Sequence, residues 1–143
     1  MIIRKVLAYI TQRRRLLVFR HTQFPEAGIQ VPGGKVEERE SLATAVRREA
    51  REETGLQALE IRFYLGTHPC EGTQSGQPIV WMYHHFFHLV LLGEAPDLRL
   101  HLERHPSDGS QAPIEFELFW VPLTDDLPEL EGCQGAFLHD LRL

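Results

Sequence analysis

The chain has 143 residues, 43% of them hydrophobic and 24% charged, with a formal net charge of −5. This length suits one domain, which we place over residues 1–143, and the near-average composition excludes a disordered or fibrous chain. The negative charge argues against binding to extended nucleic acid. No apolar run is long enough for a membrane span or a signal peptide, so we expect a cytoplasmic protein without a membrane partner.

The charge is unevenly distributed along the chain. Residues 1–51 carry a local charge of +6 and residues 52–143 carry −11, and thirteen of the fifteen cationic side chains are arginine. Arginine suits bidentate phosphate contacts, and a basic region can attract a small polyanion to a nearby site. Ordinary solvated arginines would produce the same count, so both interpretations stay open.

The two cysteines, Cys70 and Cys133, are far apart in the sequence. No C-x-x-C spacing is present. The sequence therefore indicates neither a disulfide framework nor a thiolate metal site.

Strand patterns dominate the predicted elements. In chain order, strands are expected at 2–10, 15–20, 59–65, 79–92, 98–102 and 115–121, with a short extended segment at 28–31. The best helix is 41–54, where Ser41 is the expected N-cap and Gly55 follows the last turn. A second, short helix is expected at 135–141. Many strands around one central helix predict an α+β sandwich with a mixed sheet.

The central helix has carboxylates where apolar side chains are expected. At 100° per residue, Val46 and Ala50 define an inward stripe, Glu49 and Glu53 lie within that stripe, and Glu52 lies beside it. Like charges four residues apart, at the negative end of a helix dipole and partly buried, destabilise the protein. A divalent cation would offset this repulsion. Oxygen ligands without histidine or cysteine favour Mg²⁺ or Mn²⁺.

The alternative is a rotated helix whose acids are solvated and paired with neighbouring arginines. The surrounding motif argues against it. From Gly34 to Leu56 the sequence reads GKVEERESLATAVRREAREETGL. This 23-residue segment resembles the Nudix box, G-x5-E-x7-R-E-U-x-E-E-x-G-U with U apolar, in all seven fixed residues. Ala50 is a small member of the apolar class at its position.

The resemblance to the Nudix hydrolase family implies an α/β/α sandwich and hydrolysis of a nucleoside diphosphate linked to another moiety. It implies that Glu49, Glu52 and Glu53 bind Mg²⁺ or Mn²⁺, with the Gly33 carbonyl as a further ligand. Either Glu52 or Glu49 would act as general base. The remaining motif residues would have structural or orienting roles: Glu40 and Arg48 bracing the loop and the carboxylates, and Gly34 and Gly55 shaping the backbone.

Two candidates lie outside the box. Some family members use an extra acid from a later strand, and Glu115 is the first choice over Glu117, which shares its face of the predicted strand. Exposed acids on an edge strand are the alternative. Arg20, at the end of a strand, is a candidate contact for substrate phosphate, or else a surface arginine.

The 79–92 strand contains three histidines, but alternation puts His85 on the opposite face from His84 and His88, so a zinc site is not expected. Its aromatic residues are expected in the core because the strand is apolar on both faces. They are Trp81, Tyr83, Phe86 and Phe87.

The leading functional hypothesis is a metal-dependent pyrophosphohydrolase acting on a small nucleotide derivative. The alternative is a Nudix-like module that senses a nucleotide without cleaving it. The intact acid set favours catalysis, since a sensor has no need for three metal-binding carboxylates. The motif does not specify which nucleotide is the substrate. It also leaves the oligomeric state open, and a homodimer is possible.

Overall fold

The computed structural model describes residues 2–72, 80–95, 98–103 and 113–141. The regular elements are β1 (Ile3–Gln12), β2 (Arg15–His21), β3 (Gly33–Lys35), α1 (Leu42–Thr54), β4 (Leu59–Gly72), β5 (Val80–Leu91), β6 (Leu98–Glu103) and β7 (Ile114–Pro122). Two short 3-10 helices, Pro25–Ala27 and Leu138–Asp140, complete the described elements.

The strands form one mixed sheet in the order β4-β5-β1-β2-β7-β6, with β3 paired to β1. The β1–β5 pair is parallel and the other pairs are antiparallel. The predicted α+β architecture with a mixed sheet is confirmed.

The sheet divides where β1 and β2 separate. The two strands are joined by a two-residue turn at Arg13 and Arg14, both with positive φ, as a twisted hairpin requires. They pair only next to this turn. Further along, β1 pairs with β3, while β2 pairs with β7 and bridges to Gln30. The segment 30–35 therefore lies in the opening between β1 and β2. It bends at Pro32 directly before β3, and we call the residues from Pro32 to Gly34 the Pro-Gly-Gly turn.

Helix α1 is capped as the sequence predicts. The hydroxyl of Ser41 accepts a hydrogen bond from the Thr44 amide at 3.1 Å. Gly55 adopts a left-handed conformation (φ 73°), and its amide donates to the Arg51 carbonyl. These caps fix both ends of the helix and hence the direction in which its glutamates point.

Apolar side chains fill both faces of the sheet. On one face, alternate residues of β1, including Val6 and Ala8, pack with Val46 and Ala50 of α1. On the other face, Leu7 and Tyr9 pack under the C-terminal segment, together with Leu130 and Leu138. The site-bearing helix and the C-terminal segment are thus held on opposite faces of the same strands.

The expected C-terminal helix at 135–141 is wrong as an α-helix. The segment forms turns followed by the 3-10 helix Leu138–Asp140. The side chains of Phe137 and Leu138 still pack against the sheet. The tertiary contacts of this segment therefore favour tight turns over the α-helix that the sequence suggests.

The structure also contains a disulfide that the sequence did not indicate. Cys70 and Cys133 form a disulfide between β4 and the C-terminal segment, with their α-carbons 6.3 Å apart. The two residues are 63 positions apart in sequence. Their proximity arises from the sheet order and leaves no local spacing signal.

Two of the four aromatic residues expected in the core of β5 are not buried. Phe86 and Phe87 are buried, whereas Trp81 and Tyr83 are 54% and 37% exposed. Because α1 covers only part of its sheet face, the early residues of β5 extend beyond the shielded region.

Candidate active site

Glu49 is the most buried acid of the site, with 3% of its surface exposed. Its carboxylate lies directly against Gly34 on β3, where a β-carbon at residue 34 would collide with it. This contact explains why the motif begins with a glycine: only a residue without a side chain lets the carboxylate approach the strand. The predicted inward orientation of Glu49 is confirmed.

Arg48 joins the motif's acids to the loop before the helix. Its guanidinium makes two hydrogen bonds to Glu40, at 2.7 and 2.9 Å, and one to Glu49 at 2.8 Å. It also lies 3.4 Å from Glu52 and donates to the Lys35 carbonyl at 3.1 Å. The arginine therefore orients carboxylates from both the loop and the helix, as the resemblance implies.

These contacts shift the protonation equilibria of the pair. The hydrogen bonds from Arg48 lower the pKa of Glu40, and the hydrogen bond to Glu40 raises the pKa of Arg48, despite the opposing effect of burial on each. The Glu40–Arg48 pair stays charged at neutral pH.

Glu53 contacts the Pro-Gly-Gly turn from the helix. Its carboxylate accepts a hydrogen bond from the Gly33 amide at 2.6 Å. The Gly33 carbonyl, expected as a metal ligand, belongs to the same residue. The interaction brings a helix carboxylate and the turn together at the opening between β1 and β2.

Glu52 is far more solvent-accessible than Glu49, with 38% of its side chain exposed against 4%. The ring nitrogen of His101, on β6, donates a hydrogen bond to the Glu52 backbone carbonyl at 2.5 Å. Strand β6 therefore holds the last turn of the helix. Sequence reasoning missed this residue because nothing local connects it to the motif.

A cleft with a volume of about 170 Å³ opens beside these residues. Gly33, Gly34 and Glu53 line the end near the box. Phe19 and Phe116 form an aromatic wall, with ring centroids 4.3 Å apart, and His21 lies edge-on to Phe116. The cleft can therefore hold a planar apolar group next to the acids.

The other end of the cleft is polar. Lys5, His84 and Gln134 line it. The Gln134 side chain accepts a hydrogen bond from the Val31 amide at 2.7 Å, and the Tyr9 hydroxyl donates to the Gln134 carbonyl at 2.5 Å. Sequence reasoning missed these three residues as a group, since they come from β1, β5 and the C-terminal segment and no spacing joins them.

The candidates outside the box are not brought to the cleft. Arg20 stacks on Phe119 at 4.4 Å and lies 3.7 Å from Glu117. Glu115 accepts a hydrogen bond from the Thr22 hydroxyl at 2.9 Å. None of Arg20, Glu115 and Glu117 lines the cleft. Arg20 alternates along β2 with Phe19 and His21, and the two acids flank Phe116 on β7, so all three side chains lie on the sheet face opposite helix α1.

The histidines of β5 follow the predicted alternation. His84 and His88 are buried on the face that the C-terminal segment covers. The His85 ring, on the other face, lies 2.6 Å from the Thr67 hydroxyl and 3.0 Å from that of Tyr64. Strand geometry therefore separates these histidines.

The donor chemistry fits a hard divalent cation. Glu53 lines one end of the cleft together with Gly33 and Gly34, the Glu49 carboxylate lies against Gly34, and Glu52 belongs to the same helix turn, so all three supply oxygen donors near that end. Within the described ranges, no three acidic, histidine or cysteine side chains form a preassembled metal cage. Arg48 and the Gly33 amide engage these carboxylates instead, so metal binding would require them to exchange partners.

The family model for the NUDIX domain matches residues 1–141. The chain belongs to the Nudix family, whose members are hydrolases and generally use divalent metals.

A curated relative, the CMP-5'-(N-acetyl-N-hydroxy-3-aminopropyl)phosphonate hydrolase of Streptomyces rubellomurinus, is 32% identical over 120 residues. The match covers 83% of this chain and 50% of the relative, so the chain spans about half the length of that protein.

Solved structures support the fold. A MutT NUDIX hydrolase from Burkholderia pseudomallei has a TM-score of 0.64 at 22% identity, over 99% of each chain. The E. coli ORF135 protein has a TM-score of 0.54 at 28% identity, over 85% of this chain and 74% of that one. The predicted Nudix-type α/β/α sandwich is confirmed. None of the helices in the described ranges has the length and apolar character required to cross a membrane.

Proposed function

We propose that the chain is a Mg²⁺- or Mn²⁺-dependent pyrophosphohydrolase that cleaves a nucleoside diphosphate linked to another moiety. One observation carries the proposal: Glu53, from the helix that also carries Glu49 and Glu52, lines one end of a cleft beside Gly33, and the other walls of that cleft are aromatic and polar. A pyrophosphate group needs positive charge to approach such acids, and a divalent cation provides it.

The proposed roles follow from position. Glu49, Glu52 and Glu53 would hold the metal, whose chemistry is to neutralise phosphoryl oxygens and lower the pKa of a bound water. Glu52 is more accessible than Glu49 and suits proton removal from water, with Glu49 as the alternative base. Arg48 orients both carboxylates through its hydrogen bonds and is a positioning residue.

The substrate is proposed to be a small nucleotide derivative in the cytoplasm. Support comes from the Streptomyces relative, whose name gives a CMP-linked phosphonate as its substrate. The aromatic wall of Phe19 and Phe116 suits the planar base of such a molecule. Arg20 and Glu115 are weaker candidates for substrate and metal contacts because they lie on the other sheet face.

A chromatographic screen for nucleotide products tests the proposal, because cleavage of the pyrophosphate bond leaves one phosphate on each product. Nucleoside triphosphates, ADP-ribose, dinucleoside polyphosphates, sugar nucleotides and CMP-linked phosphonates are incubated with Mg²⁺ and with Mn²⁺, and again with a chelator. We expect turnover of at least one nucleotide derivative that the chelator abolishes. Binding without turnover of any compound would instead indicate a nucleotide-sensing module.

A further inference from the structure

His84 is a buried polar side chain without a partner. The residue is 8% exposed, and neither ring nitrogen has a hydrogen-bond partner in the described part of the chain. An unsatisfied buried polar group costs roughly 1–3 kcal/mol. The other buried histidine of β5, His88, pairs one ring nitrogen with the Thr11 hydroxyl at 2.7 Å. His84 is therefore an exception even among its neighbours.

His84 borders the candidate active site, with both ring nitrogens shielded from solvent. His84 lines the same cleft as Gly33 and Glu53. On β1, Leu7 pairs with Gly33, whereas Lys5, two residues earlier, pairs with His84. Two strand residues span about 7 Å. A group at His84 is thus in the cleft but displaced from the turn that borders the acids, so it meets a different part of a bound molecule.

The imidazole is neutral under ordinary conditions. Burial, and then the positive charge of Lys5 and the neighbouring His68 and His85, lower the pKa of His84 to about 4. A neutral imidazole has one N–H donor and one nitrogen acceptor. This pair suits the polar edge of a nucleobase, which offers donors and acceptors, better than a phosphate, which attracts cations.

We propose that His84 is a specificity-determining residue that hydrogen-bonds the nucleobase of the substrate, and that the site prefers a base with a carbonyl oxygen. The inference rests on the proposed function. Lys5 lies beside His84 on the neighbouring strand, and its ammonium only donates, so it favours a carbonyl oxygen, with two lone pairs, over the single-lone-pair ring nitrogens of adenine. Cytosine, uracil and guanine have such an oxygen, and adenine does not. Phe19 and Phe116 provide the apolar wall for the ring.

The test measures binding of CDP, UDP, GDP, ADP and inorganic pyrophosphate to the whole chain in the presence of Mg²⁺, before turnover is detectable. His84→Phe removes both polar atoms, and His84→Asn keeps a donor and an acceptor. His85→Phe is the matched control, one residue along β5 on the opposite face. Nucleotide hydrolysis with Mn²⁺ is measured on the same preparations.

The wild type should bind carbonyl-bearing nucleotides more tightly than ADP. His84→Phe should weaken their binding about tenfold or more, which is the effect of one buried hydrogen bond, while ADP and pyrophosphate change little. His84→Asn should restore part of the preference, and His85→Phe should match the wild type.

This inference would be overturned if His84→Phe left all affinities unchanged, or if it weakened the binding of every ligand equally, pyrophosphate included. Continued hydrolysis by the wild type would then leave the proposed function standing. A wild type that neither binds nor hydrolyses any nucleotide would overturn both.

Discussion

The carboxylate of Glu49 occupies the space where a side chain of Gly34 would begin. These two residues come from different elements, and their contact holds the most buried acid of the site against β3. It links the first glycine of the motif to the orientation of the helix, so the glycine has a steric role that a substitution can test.

Gly34→Ala should destabilise the protein and reduce activity. The added methyl group would displace the Glu49 carboxyl, and overpacking of a buried site costs about 1–3 kcal/mol. Chemical denaturation and a chromatographic assay of nucleotide hydrolysis measure the two effects. Gly135→Ala is the control, since its new methyl group would meet its nearest neighbour at an ordinary 3.8 Å. Equal behaviour of the two variants would contradict the steric role of Gly34.

Glu52→Gln should lower kcat about 10²–10⁴-fold, the range for loss of general-base assistance, with a much smaller change in KM. Stability should change by less than about 0.5 kcal/mol, because Glu52 is partly exposed and its ion pair with Arg48 is long. Steady-state kinetics and thermal melting provide the measurements.

Glu117→Gln is the matched control for this substitution, on the opposite sheet face, and should cost little. Loss of kcat in Glu117→Gln but not in Glu52→Gln would move the reaction from the helix to the strand acids.

Glu40→Gln should make stability less dependent on pH in the acidic range. The pKa of Glu40 is lowered in the folded protein by Arg48, so its stabilising contribution is complete above the unfolded-state pKa and is lost as pH falls through the folded one. The difference in unfolding free energy between wild type and variant should be largest near pH 7 and shrink below about pH 4. Urea denaturation at several pH values measures it. A difference that grows on acidification would contradict the pairing.

Mn²⁺ or Mg²⁺ should stabilise the fold. A cation that binds only the native state, at one hundred times its dissociation constant, adds about 2.7 kcal/mol. Thermal melting with and without millimolar Mn²⁺ tests this, with Glu49→Gln as a variant that should respond less. An unchanged wild-type midpoint would mean that the carboxylates keep their arginine and amide partners and bind no metal.

Reduction should destabilise the protein through the Cys70–Cys133 bond. A cross-link between residues 63 positions apart restricts the unfolded chain by about 4 kcal/mol in the chain-entropy model. The wild type should melt at a lower temperature with dithiothreitol, and the double variant Cys70→Ser/Cys133→Ser should melt low with or without it. A wild type that is insensitive to reductant would contradict the bond.

The local features of the site were predictable from the sequence alone. The residue types and spacing of the box identify the family, and the helical period places Glu49 on the inward face because that period is a property of the backbone. The caps at Ser41 and Gly55 follow from equally local rules. The opposite faces of His84 and His85 follow from strand alternation.

Other features depended on the order in which the strands assemble. The period of β5 does not show how far α1 extends over it, so the exposure of Trp81 and Tyr83 was missed. Alternation shows that Glu115 and Glu117 share a face but not which face meets the acids. The bond between Cys70 and Cys133 likewise joins segments that only the fold brings together.

The polar end of the cleft is the clearest case. Lys5, His84 and Gln134 meet because β1 lies parallel to β5 and the C-terminal segment crosses the same face. Helix and strand periods act over a few residues, whereas these contacts span most of the chain. The sequence by itself therefore determined the family and the orientation of its acids, and the tertiary structure decided which distant side chains share the cleft with them.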